Sequence, residues 1–140
     1  MKRLLILVFV FLFFCSACSL QEDPRALASN KMNLTYDGEK CQPYESFVPL
    51  GQEIEITINN TSEFDITWYV IFHNLEGEFD DQDPENILTS IQAPAQETTV
   101  QNFKSPYLPG KYSSYCVQNV DTTKLALTFL LVVEPYEEID

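Results

Sequence analysis

Short β-type segments separated by turn signals mark this 140-residue chain as an all-β protein, read as a Greek-key sandwich of seven to eight strands. In "GQEIEITINN" Ile54, Ile56 and Ile58 alternate with Glu53, Glu55 and Thr57, the period-two signature of a strand with one wet face. In "ITWYVIFHN" and "KLALTFLLVV" apolar residues fill both faces, which suits strands deep in a sandwich. No convincing amphipathic helix competes with them.

The chain opens with Lys2 and Arg3 before eleven apolar residues, Leu4 to Phe14. That run is too short for a span of about twenty residues, so residues 1–17 read as a secretory signal peptide. Ser16 and Ala17 directly before Cys18 resemble the bacterial lipobox, with Cys15 where that motif usually has Leu. The resemblance makes Cys18 the lipidation site; the competing readings are an ordinary signal peptide cleaved nearby and an uncleaved anchor. Ser19 after the cysteine resembles an outer-membrane sorting residue, relevant in a host with two membranes; otherwise the lipid anchors the chain at the cell surface. Residues 18–32, polar and aperiodic, form the lipidated tether, and residues 33–140 the sandwich domain.

Along the domain, "NLTYDG" is a first strand ending in an Asp-Gly turn, followed by the alternating strand over 53–58. In "ITWYVIFHN" Ile66, Trp68, Val70 and Phe72 share one face and Thr67, Tyr69, Ile71 and His73 the other. "EGEFDDQDPEN", residues 76–86, is an acidic loop. "ILTSIQAPAQ" reads as a short irregular strand or one helical turn. "TTVQNF" is a strand, "SPYLPG" a turn rich in proline and glycine, and "KYSSYCVQ" the next strand. "KLALTFLLVV" closes the domain as a strand buried on both faces, before the acidic tail "EPYEEID".

Without residues 1–17 the chain carries six basic residues against twenty-one acidic ones, a formal balance of −15. Such a surface repels phosphate backbones, which argues against nucleic-acid binding, and the membrane is reached by lipid and not by charge. Cys15 leaves with the signal and Cys18 takes the lipid, so Cys41 and Cys116 remain in an oxidising compartment. They can form one bridge; the other reading keeps two free thiols for metal or catalysis.

The order of these features resembles the cupredoxin family. "VPLGQEIEITINNTSEFDITWYVIF" matches the strand, Asn-rich turn and strand that carry the first histidine ligand there. "YLPGKYSSYC" matches the glycine turn leading to the ligand cysteine, and "LALTFLLVV" the closing strand. A blue-copper site needs two imidazoles and a thiolate, usually with a weak thioether. By the resemblance the first histidine falls near Asp65 or Ile66 and the second near Asn119, and no methionine follows. Only Cys116 matches a ligand position. The chain contains one histidine, His73, so no rearrangement supplies two. The resemblance therefore implies a cupredoxin-like sandwich with no metal ligands and no cofactor. The chain also resembles uncharacterised bacterial lipoproteins with an early "LTYDG" and cysteine and a late "PGKY" and cysteine. An immunoglobulin-like sandwich is the structural rival, since Cys41, Trp68 and Cys116 occur in its order. Trp68 lies too far past the first cysteine for that, and Ser114 stands where the tyrosine corner wants Tyr.

Other candidates have bland competitors. His73 has no partner motif and reads as a strand or turn histidine. Asp80, Asp81, Asp83 and Glu85 offer carboxylates to Ca²⁺, but the loop lacks the glycine turn and terminal glutamate of a calcium loop, and Pro84 interrupts it. No Ser/His/Asp signature, phosphate-binding glycine loop or zinc-type spacing is present. Two function classes remain. One is a non-enzymatic, membrane-anchored binding or structural module that meets an envelope protein partner through the loops at one end of the sandwich. The other is a copper-handling or electron-transfer protein with an unorthodox site at Cys116, His73 and Met32.

Overall fold

The computed structural model describes residues 22–72 and 84–135. A four-residue helix, α1 (Pro24–Leu27), is capped by the Asp23 side chain, which accepts from Arg25 N at 3.0 Å. Nine strands follow among the described residues: β1 (Lys31–Tyr36), β2 (Cys41–Gln42), β3 (Glu45–Pro49), β4 (Glu53–Asn60), β5 (Ile66–Ile71), β6 (Ile87–Ala93), β7 (Thr98–Lys104), β8 (Gly110–Gln118) and β9 (Leu125–Val133). They form a four-stranded sheet in the order β2-β1-β4-β7 and a five-stranded sheet in the order β3-β9-β8-β5-β6. β1 runs parallel to β4 and β3 parallel to β9, while the other pairs are antiparallel.

Alternation becomes burial where it was expected. Ile54, Ile56 and Ile58 of β4 are fully buried, and Met32, Leu34 and Tyr36 of β1 line the same core. From the opposing sheet come Ile66, Trp68 and Val70 of β5 and Leu130 and Val132 of β9. Trp68 meets Phe103 of β7 edge to face, ring centroids 5.3 Å apart, which adds about 1 kcal/mol to the burial itself and ties the two sheets together. Its indole Nε1 is the one buried side-chain polar atom without a hydrogen-bond partner among the described residues.

Several expectations need correction. β1 begins at Lys31, two residues inside the expected tether, and α1 also lies within that stretch. Two strands were missed: β2 is only two residues long, and β3 is an edge strand whose half-buried residues give no alternation. The segment expected to be irregular is the regular strand β6, preceded by a single 3-10 turn at Pro84–Asn86. β9 is buried on one face only, because its other face lies open to solvent at Leu125 and Leu127. β5 stops at Ile71, so Phe72 projects outward instead of joining the core face.

A tyrosine corner is present after all, two residues earlier than Ser114. Tyr112 near the start of β8 donates its hydroxyl hydrogen bond to Leu108 O, four residues upstream, at 2.8 Å. Ser114 instead pairs with Thr128 of β9 through their hydroxyls inside the sheet.

Candidate functional site

Strand directions sort the loops into two ends. One end gathers the turns at 37–40, 61–65, 94–97 and 119–124; the other carries α1 and the turns at 50–52 and 105–109. The first end holds the residues that the sequence singled out.

Cys116, near the end of β8 and fully buried, is bonded to Cys41 at the start of β2, with Cα atoms 6.3 Å apart. Since β2 and β8 belong to different sheets, the bridge pins the sandwich shut beside this end. Cys116 is the register partner of Trp68 on β5, so the cystine packs in the core and not on a loop.

The positions where the family pattern wants imidazoles are engaged differently. Asn119 N donates to Asp65 O at 2.9 Å, and the Asn119 Oδ1 accepts from the Thr67 hydroxyl at 2.7 Å. The Asp65 carboxylate accepts from Ala95 N at 2.8 Å. These contacts use the two side chains to close neighbouring loops. Ile66 is a fully buried core residue with no donor atom.

Asn60, at the end of β4 and 1 % exposed, organises the 61–65 turn. Its Nδ2 donates to Phe64 O at 2.8 Å and to Ala93 O at 3.0 Å, while Oδ1 accepts from Ser62 N and the Ser62 hydroxyl. Two flanking turns are held by aspartates. Backbone N–H groups of Lys40 and Glu39 lower the Asp37 pKa, and the Thr123 hydroxyl and N–H lower that of Asp121. A lowered carboxyl pKa stabilises the fold above the ordinary aspartate range, a contribution lost as pH falls through the lowered value.

Sequence reasoning missed a cavity of about 410 Å³ at this end, lined by Tyr36, Glu39, Phe64, Gln118, Lys124 and Leu125. Beneath it, the Gln118 Nε2 donates to the Tyr36 hydroxyl at 3.0 Å, which in turn donates to Gly38 O at 2.9 Å. Both side chains are buried. Strand parity was the available signal: Gln118 lies two residues past Cys116 and four past Ser114, hence on the same inward face. Lys124 and Glu39 supply opposite charges at the rim, and half-exposed Phe64 and Leu125 supply apolar surface. Apolar surface with a few polar groups at its edge is the usual lining of a pocket for a ligand or a partner's side chain.

Other candidates fall elsewhere. Met32 is buried on β1 four residues from Tyr36, about 13 Å along the strand, so it stands apart from Cys116 in the core. Glu85 is exposed and lies in the 3-10 turn before β6. Cys18, His73, Asp80, Asp81 and Asp83 lie outside the described residues. Among the described residues no group of three or more His, Cys, Asp or Glu side chains comes together as a metal site.

The donor set does not fit a blue-copper ion. The sulfur of Cys116 is bonded to Cys41, and one histidine in the whole chain cannot provide an imidazole pair.

No family model matches the chain, and no curated protein matches it either. Solved structures do. An auracyanin from the photosynthetic bacterium Roseiflexus castenholzii, in its dithionite-reduced form, superposes with a TM-score of 0.60 at 21 % identity, covering 76 % of this chain and 98 % of its own. Auracyanin A, a "blue" copper protein from the green thermophilic photosynthetic bacterium Chloroflexus aurantiacus, gives 0.58 at 20 % identity, covering 74 % and 98 %. Auracyanin B gives 0.58 at 14 % identity, covering 74 % and 88 %. The chain therefore has the cupredoxin-like Greek-key β-sandwich fold, in which the cysteine near the end of β8 is half of a cystine.

Proposed function

We propose that the chain is a membrane-anchored extracytoplasmic lipoprotein whose cupredoxin-like domain works as a metal-free, non-catalytic binding module. The observation that carries this reading is the Cys41–Cys116 cystine, which commits the one family ligand retained in the sequence to holding the two sheets together. Asp65 and Asn119 likewise serve loop closure. What this end offers a partner is the cavity between Phe64, Lys124 and Leu125, on a frame stiffened by Asn60 and the cystine. An envelope protein presenting an apolar side chain flanked by polar groups has the matching chemistry.

The anchor follows from Ser16, Ala17 and Cys18 at the end of the apolar run. α1 and Lys31, the first residue of β1, lie at the end of the sandwich opposite the cavity, so an anchor at Cys18 leaves the cavity end facing away from the bilayer. Changing Cys18 to Ser is expected to move the protein from the membrane fraction to the soluble fraction. Unchanged detergent partitioning of that variant would contradict the anchor. For the binding role, crosslinking in intact cells from a photoreactive residue at Phe64 should capture a discrete envelope protein, whereas one at the exposed Val100 on β7 should not. Equal capture from both positions would contradict a dedicated binding end.

A further inference from the structure

We propose that the turn at residues 105–109 rests in the membrane interface, seating the domain upright on the bilayer; the inference builds on the lipid anchor at Cys18. Tyr107 and Leu108 at its tip are 67 % and 63 % exposed, among the most exposed large apolar side chains described. The turn that presents them is firmly held. Gly51 N donates to Pro106 O at 3.0 Å, Ser105 N donates to Gln52 O at 2.9 Å, and the Ser105 hydroxyl donates to Pro49 O at 2.6 Å. The tyrosine corner fixes the far side by holding Leu108 O. The Tyr107 ring packs over Gly51, where a Cβ would come within 3.1 Å of it. Two largely exposed apolar side chains therefore face water from a rigid support, and a rigid support loses little conformational freedom on docking.

Position relative to the anchor identifies the occupant. Asp23, Pro24 and Arg25 border the same cavity as Pro109, Val133 and Glu134, so the first described residues lie beside this turn. From Cys18 to Pro24 the chain spans at most about 20 Å when fully extended. The nine-residue strands β8 and β9 separate the turn from the opposite end by about 30 Å. A lipid at Cys18 thus keeps the 105–109 turn at high local concentration beside the bilayer, and keeps Phe64, Val120 and Leu125 away from it. The chemistry agrees: tyrosine prefers the headgroup level, where its ring is apolar and its hydroxyl wet. Lys104, with Nζ 4.9 Å from the Tyr107 ring centroid, has a stem long enough to lie along the apolar surface while its charge stays among phosphates. Because the chain is strongly acidic, zwitterionic lipid is the surface to test.

The test uses full chain purified from membranes and reconstituted in phosphatidylcholine vesicles with or without brominated acyl chains. Three proteins are compared: Tyr107→Trp, Val120→Trp at the far end, and the parent, whose Trp68 is fully buried. Tyr107→Trp emission is expected to be quenched by brominated lipid about twofold, with the other two proteins unaffected. Leu108→Trp should repeat the result. Quenching of Tyr107→Trp no greater than that of Val120→Trp would overturn the seating. Flotation of the parent with the vesicles reports the anchor separately. If it does not float, the anchor reading fails, and the same variants coupled through the Cys18 thiol to a maleimide lipid decide the seating by the same two outcomes.

Discussion

Replacing Cys41 and Cys116 together by alanine is expected to lower the stability of the domain by about 4 kcal/mol. The bridge closes a loop of 75 residues in the unfolded chain, and loop closure of that length removes conformational entropy from the unfolded state on this scale. In the native state the same bond links the short β2 at the edge of one sheet to the central β8 of the other. β2 otherwise holds to β1 through only two register pairs, Thr35 with Gln42 and Tyr36 with Cys41, so losing the bridge also loosens β2 next to the 37–40 turn at the cavity. A fall in melting temperature on the order of 15–20 °C should accompany the loss. Urea denaturation of the two proteins checks it: a change below about 1 kcal/mol would show that the sheets hold without the bond.

Asn60→Ala is expected to cost about 3 kcal/mol although it removes only a small amount of side chain. The substitution deprives Ser62 N and its hydroxyl of an acceptor, and Phe64 O and Ala93 O of a donor, in a place with little access to water. Asn60→Asp sharpens the test. It keeps the acceptor but sets a carboxylate against two carbonyl oxygens, so the folded state favours the protonated acid and its pKa rises. Stability of that variant relative to the parent should therefore be greatest in acid and fall as pH rises through the raised value. A pH-independent difference would mean that the two carbonyl contacts do not matter.

The sequence made the interior strands legible because their burial is written in residue parity. β4, β5 and β8 appear where alternating or continuous apolar runs put them, and Cys116, Gln118 and Ser114 share the inward face that parity assigns. The short β2 and the edge strand β3 were not legible. β2 owes its strand conformation to pairing with β1 and to the cystine, and β3 to parallel pairing with β9, neither of which leaves a local signature. The expectation of a doubly buried β9 failed because apolar content alone does not say whether another layer covers the second face. At the candidate site, Cys116 was visible from the residues before it and its partner from the scarcity of cysteines. The cavity was not visible, since Tyr36, Phe64, Gln118 and Lys124 come from three separated parts of the chain. Superposition on auracyanins extends the reading to the fold as a whole; the copper of auracyanin A is not carried to this chain, whose Cys116 sulfur is bonded to Cys41.

A cupredoxin-like sandwich whose Cys116 is held in a structural cystine is expected to take up no blue-copper ion. Addition of Cu(II) to the purified oxidised protein tests it most directly, because a thiolate-bound copper with two imidazoles announces itself by an intense charge-transfer band in the red part of the visible spectrum. Neither such a band nor a large thermal stabilisation by mass action is expected. A stoichiometric blue complex, abolished by Cys116→Ala, would contradict that expectation.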